Sequence, residues 1–79
     1  MNTEEYKRQC GRIQRLVAEL SPGATVEFDE NQAPNFVKFS IRNGITLLGL
    51  SGDEPIANVR DWSQQRLTKY VRVICNDRV

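Results

Sequence analysis

A reactive side chain works only with partners, and this chain is short of them. Histidine is absent from all 79 residues. The commonest general base, and the usual middle member of a hydrolytic triad, is therefore missing. The two cysteines, Cys10 and Cys75, stand near opposite ends of the chain. A nucleophilic cysteine needs a lowered pKa and a base, and no pattern around either one supplies them. Two thiols without histidine also fall short of a four-ligand zinc set unless carboxylates complete it. The adjacent carboxylates Asp29-Glu30 and Asp53-Glu54 fall in segments that read as loops, where acidic pairs are ordinarily solvated. Gly49-Leu50-Ser51-Gly52 lacks the Gly-Lys-Ser/Thr ending of a phosphate-binding loop. The expectation is a chain that is not an enzyme and uses no cofactor, metal or small-molecule substrate.

Recognition chemistry remains. Lys7, Arg8, Arg12 and Arg15 lie in one segment and Arg66, Lys69 and Arg72 in another, and no acidic residue occurs from Ser63 to Cys75. If both segments are helices packed side by side, these cations offer one surface to phosphates. The plainer reading is that Arg and Lys solvate the outer faces of two helices. A formal charge of +1 gives the whole chain no pull toward nucleic acid or an anionic membrane. Phe36, Ile45 and Leu47 fall among Lys38, Ser40 and Arg42 on one face of the predicted hairpin. On an open sheet face they would make a small apolar patch with a polar rim, which suits protein contact. Phe36 is also the single aromatic placed to stack on a nucleobase. Trp62, between Arg60 and Arg66, is either an interface anchor or a core staple. The plainer reading of the patch is that scattered surface apolar residues need no explanation.

The elements that must position these residues are organised around Phe36 to Ser51. Asn43-Gly44 is the preferred pair for a two-residue type I′ turn. That turn sets Arg42 opposite Ile45, Ile41 opposite Thr46, Phe39 opposite Leu48 and Val37 opposite Leu50. One face then carries Val37, Phe39, Ile41, Thr46, Leu48 and Leu50. The other carries Phe36, Lys38, Ser40, Arg42, Ile45, Leu47, Gly49 and Ser51.

Before the hairpin, Asn2 or Thr3 can cap a helix whose first turn holds Glu4 and Glu5. Tyr6, Cys10, Ile13, Val17 and Leu20 recur at helical spacing, with Leu16 widening the stripe and Arg8, Arg12, Arg15 and Glu19 opposite. Gly11 is a weak point in that helix, and Ser21-Pro22-Gly23 ends it. Ala24 to Phe28 reads as a strand, and residues 29–35 as a polar loop. Pro55 can open a short helical turn carrying Ile56 and Val59. A second main helix starts near Asp61 or Ser63, with Leu67, Tyr70, Val71 and Ile74 on one face; Asp77, Arg78 and Val79 are expected to fray.

The predicted architecture is one α+β domain over residues 1–79, a two-layer sandwich. A helix, a three-stranded antiparallel meander and a second helix follow in order, with both helices on one sheet face. At 39% apolar and 27% charged residues the chain is ordinary globular in composition, but small for a self-sufficient core. No run approaches a membrane span, and the charged start, without an apolar leader, points to the cytoplasm. The element order resembles that of double-stranded-RNA-binding domains, which HicA-type mRNA-cleaving toxins share. Where such domains open their second helix with a basic cluster, this chain has Asp61-Trp62-Ser63-Gln64-Gln65, and the toxins' catalytic histidine has no counterpart. Element order does not fix function.

The expected function is a non-enzymatic module that binds a protein, a different chain or a second copy, through the outer sheet face or a strand edge. The alternative is a nucleic-acid binder using the basic helix faces. A third reading is a small viral or mobile-element inhibitor of a host protein.

Overall fold

A computed structural model of the chain describes residues 3–75, so the cap assigned to Asn2 and the fraying assigned to residues 77–79 lie outside the described residues. Helix α1 runs Thr3–Leu20 and presents Tyr6, Ile13, Leu16 and Val17 to the core. It stops where predicted. Ser21 N–H still donates to Val17 O at 2.9 Å, and Gly23 then takes a φ of +91°, which an L side chain resists.

Strand β1 (Thr25–Phe28) turns Val26 and Phe28 toward the helices. Residues 29–35 contain a 3₁₀ turn at Glu30–Gln32, entered through Asp29, whose carboxylate accepts from Asn31 N–H at 3.0 Å. The segment predicted as one strand from Phe36 to Arg42 is divided at Lys38 into β2 (Phe36–Val37) and β3 (Phe39–Asn43). Strands β4 (Thr46–Leu50) and β5 (Glu54–Pro55) follow. The main sheet has the order β1-β3-β4 and is antiparallel throughout, the predicted meander. The β2–β5 ladder, with Phe36 opposite Pro55 and Val37 opposite Glu54, is a second, two-stranded sheet. Helix α2 (Ile56–Asp61) follows at once, and α3 (Gln64–Cys75) begins after Ser63, whose Oγ accepts from Arg66 N–H at 3.1 Å.

The hairpin departs from its predicted register. Asn43 pairs with Thr46, so the two loop residues are Gly44 and Ile45, not Asn43 and Gly44. Gly44 alone has positive φ (+65°), which matches a type II′ turn with glycine at its first central position. Pairing then steps from Arg42–Leu47 to Ile41–Gly49, leaving Leu48 as the extra residue of a β-bulge. The buried face of β2 and β3 is as expected: Val37, Phe39 and Ile41 are essentially inaccessible. On β4 the expectation fails. Thr46 and Leu50 are exposed, Leu48 is half-buried, and Gly49 is buried. The reason is steric. A Cβ on Gly49 would fall onto the Ile74 carbonyl oxygen and 2.8 Å from its Cγ2. The backbone of α3 thus rests on β4 at the one residue that lacks a side chain.

Both long helices cover one sheet face. The core joins Ile13, Leu16 and Val17 of α1, Phe39 and Ile41 of β3, Ile56 and Val59 of α2, and Leu67, Val71 and Ile74 of α3. Each such side chain contributes about 1.5–3 kcal/mol when fully buried. Rings continue the packing outward: Phe28 to Phe39 at 6.0 Å, Phe39 to Tyr70 at 6.4 Å and Tyr70 to Trp62 at 5.1 Å between centroids. Of the described residues, no helix is long and apolar enough to cross a membrane.

Candidate interaction surface

The outer face of the main sheet is built by alternation on three strands. Register places Glu27 beside Ser40, Ser40 beside Leu50, and Arg42 beside both Thr25 and Leu47. Leu47 and Leu50 therefore occupy successive outward positions on β4, because the bulge at Leu48 absorbs the residue between them. They are 38% and 59% exposed, and Ile45 at the turn is 97% exposed. Arg42 Nε reaches Glu27 Oε1 at 3.6 Å across the strands. Glu27, Asp29, Lys38, Ser40 and Leu50 line a shallow groove of about 240 Å³ at the far end of this face. The strip is an apolar ridge on an edge strand, rimmed by paired and unpaired charge.

Phe36 does not join it. It belongs to the β2–β5 ladder, is half-buried, and sits at the end of the chain segment remote from the turn. Leu50, predicted for the core, takes its place beside Leu47. Lys38 is exposed at the kink between β2 and β3. Trp62 is half-buried rather than free. Its ring packs edge-on against Tyr70, the Arg66 guanidinium lies 4.9 Å over it, and its carbonyl accepts from Arg12.

The basic residues divide. Arg12, placed by periodicity on the solvent side of α1, is half-buried against the α2–α3 junction. Its guanidinium donates to Val59 O at 3.2 Å, Trp62 O at 3.3 Å, Gln9 Oε1 at 2.8 Å and Gln64 Oε1 at 3.3 Å. It bonds Trp62 O just past the end of α2 and shares Val59 O with the Trp62 N–H, which donates there at 3.2 Å, so it has little capacity left for a phosphate. Arg8 is paired with Glu5 at 3.2 Å. Lys7 and Arg15 are exposed on α1. Arg66, Lys69 and Arg72 are exposed on α3 and enter no ion pair among the described residues. The structure therefore does not assemble the seven cations into one surface.

Reading the apolar stripe alone missed Glu5 and Gln9, both buried, with Gln9 Nε2 donating to Glu5 Oε2 at 2.6 Å. The signal was present: Glu5, Gln9 and Arg12 follow helical spacing and form a polar seam beside the apolar one. Ser51 was missed as well. Its Oγ accepts from Phe39 N–H at 2.8 Å and donates to Gly52 O at 2.9 Å, prolonging the β3–β4 ladder past Leu50.

Titratable groups give no poised nucleophile. Burial pushes both thiols up, Cys10 and Cys75 alike, against the direction that activates a cysteine. Both are half-buried and unpaired. Tyr70 is pushed up to about 12 by burial and by the hydrogen bond its hydroxyl donates to Glu54 at 3.0 Å. Tyr6 is also pushed up to about 12, by burial first and then by the neighbouring Cys10 thiol and the field of Glu30 and Asp29. Among the described residues no three metal-ligating side chains gather. No protein-family model matches the chain, and no curated protein or solved structure is found similar to it.

Proposed function

We propose that this chain is a non-enzymatic binding module that makes protein–protein contact through the outer face of its sheet along β4. The observation that carries the reading is the placement of Leu47 and Leu50 at successive outward positions beside a fully exposed Ile45. Each aliphatic side chain removed from water on association contributes about 1.5–3 kcal/mol. Scaled by their present exposure, the three supply roughly 3–6 kcal/mol before the entropy of association is subtracted. That sum suits a weak to moderate complex whose orientation comes from the rim: Lys38, Ser40, Arg42 and Glu27. Two unpaired thiols fit a reducing compartment, and the proposed location is the cytoplasm.

The test pairs wild type with Leu47→Ser plus Leu50→Ser, which alters exposed positions and should leave the circular dichroism spectrum unchanged. Chemical cross-linking with mass spectrometry should place a protein chain, a second copy or another, against β4 in the wild type. That contact should survive high salt and vanish in the variant. A wild type that stays monomeric by light scattering and yields no cross-link to β4 would overturn the reading.

A further inference from the structure

We propose that the exposed face of α3 binds duplex DNA, lying in the major groove as a cationic helix, independently of the protein contact assigned to β4. The starting observation is which charges the fold leaves uncompensated. Arg12 is consumed at the α2–α3 junction and Arg8 by Glu5. Lys69 and Arg72 enter no ion pair among the described residues, and neither do Lys7 and Arg15, but α1 also carries Glu4, Glu5 and Glu19, whereas no carboxylate occurs from Ser63 to Cys75. Gln64, Gln65, Thr68, Lys69, Arg72 and Val73 line one surface depression along α3. They lie on two adjoining helical rows: 65-69-73 is opposite the buried Leu67, Val71 and Ile74, and 64-68-72 borders that buried face, with Thr68 half-buried. Arg66 flanks the rows, held over the Trp62 ring.

The chemistry of those rows separates nucleic acid from an acidic protein. A protein interface is centred on aromatic or aliphatic anchors, and here Val73 is the single apolar residue. Gln64 Oε1 is held by Arg12 and the Thr68 hydroxyl donates to Gln64 O at 2.7 Å, which leaves the Gln65 amide, Lys69 and Arg72 for phosphates and base edges, where Gln pairs with adenine and Arg with guanine. Dimensions agree. A helix with its side chains is about 10–12 Å across, and the B-form major groove is about 12 Å wide, whereas the deep, narrow major groove of duplex RNA does not admit side chains. Like charge also disfavours a second copy on this face, since a twofold contact would bring Lys69 and Arg72 against their own kind.

The probe is a DNA duplex of about two helical turns, titrated by fluorescence anisotropy at rising salt. Two to three neutralised phosphates give a slope of about −1.8 to −2.7 in log K against log salt, so affinity should fall roughly 12- to 42-fold over a fourfold rise in salt. Lys69→Glu plus Arg72→Glu should abolish binding, with the fold verified by circular dichroism. Lys7→Glu plus Arg15→Glu should leave binding within about twofold at matched salt, as should Leu47→Ser plus Leu50→Ser. The leucine pair keeps this result separate from the fate of the β4 surface. Absence of binding at low salt would overturn the proposal. Equal loss in the α1 variant, equal affinity for poly-glutamate, or preference for single strands or RNA duplex would each do the same.

Discussion

Gly49 shows how much a single missing side chain can hold in place. Its φ is unremarkable, so the constraint is proximity and not backbone freedom. The Ile74 carbonyl and Cγ2 occupy the space a methyl group would need. Backbone cannot yield as a flexible side chain can, so Gly49→Ala should lift the end of α3 off β4. The cost of such overpacking is about 1–3 kcal/mol, a large share of the stability of a domain this small. A urea titration should show the midpoint falling accordingly. Gly11→Ala is the matched control: its Cβ would meet only Arg15 Nη1, at 3.5 Å. An alanine there should raise stability by about 0.5–1 kcal/mol through helix propensity. If both alanines have the same effect, the close approach of α3 to β4 is not as described.

Among the elements, the hairpin separates what was legible in the sequence from what was not. The alternation Val37, Phe39, Ile41 identifies the buried side of β2 and β3 because those residues answer to one core along one continuous stretch of chain. The α1 stripe and the stop at Ser21-Pro22-Gly23 are equally local, and so were readable. The turn is not decided locally. Asn43-Gly44 is the stronger turn pair, yet the chain turns on Gly44-Ile45, because that choice and the bulge at Leu48 bring Gly49 under α3. Alternation along β4 cannot register a helix backbone arriving from residue 74, so Leu50 was assigned to the core and the outward strip was read without it. Phe36 was misplaced for a related reason: its partner, Pro55, lies in a segment too short to read as a strand. Arg12 was misread because its partners are carbonyls at the end of a six-residue helix. The turn offers a direct check. Gly44→Ala must adopt a φ near +65° and should cost about 1 kcal/mol. Asn43→Thr should be neutral or favourable, since Asn43 is a strand residue here and threonine suits strands. In a type I′ turn both substitutions would be harmful, so denaturation midpoints of the two variants discriminate the registers.

For the whole molecule, the two high-pKa tyrosines tie the helical layer to the loops that close it. Tyr6 on α1 is buried beside the Cys10 thiol, and with Glu30, Ala33 and Pro34 it lines a shallow groove at the 29–35 segment. Tyr70 on α3 bridges Trp62, Phe39 and Glu54. Each is pushed up to about 12 in the folded chain, against about 10 when unfolded. Below the unfolded value both states hold the proton, and the tyrosines' contribution to stability is fully present. As pH rises past about 10 the unfolded chain releases protons that the native chain retains, so unfolding becomes progressively easier, and the contribution is lost as pH passes about 12. Urea midpoints should therefore begin to fall as pH passes the ordinary thiol value of about 8.5, because burial pushes Cys10 and Cys75 up as well, and decline more steeply above about 10. Tyr6→Phe should cost little at neutral pH, because its hydroxyl is buried without a hydrogen bond of ordinary geometry. Tyr70→Phe should cost about 1 kcal/mol at neutral pH for the lost bond to Glu54. Each variant should remove part of the alkaline slope and the double variant most of it. The two thiols act at the foot of the same curve, and the double variant isolates the tyrosines from them. An unchanged slope in the double variant would mean that these two rings do not lock the helices to the sheet as their burial implies.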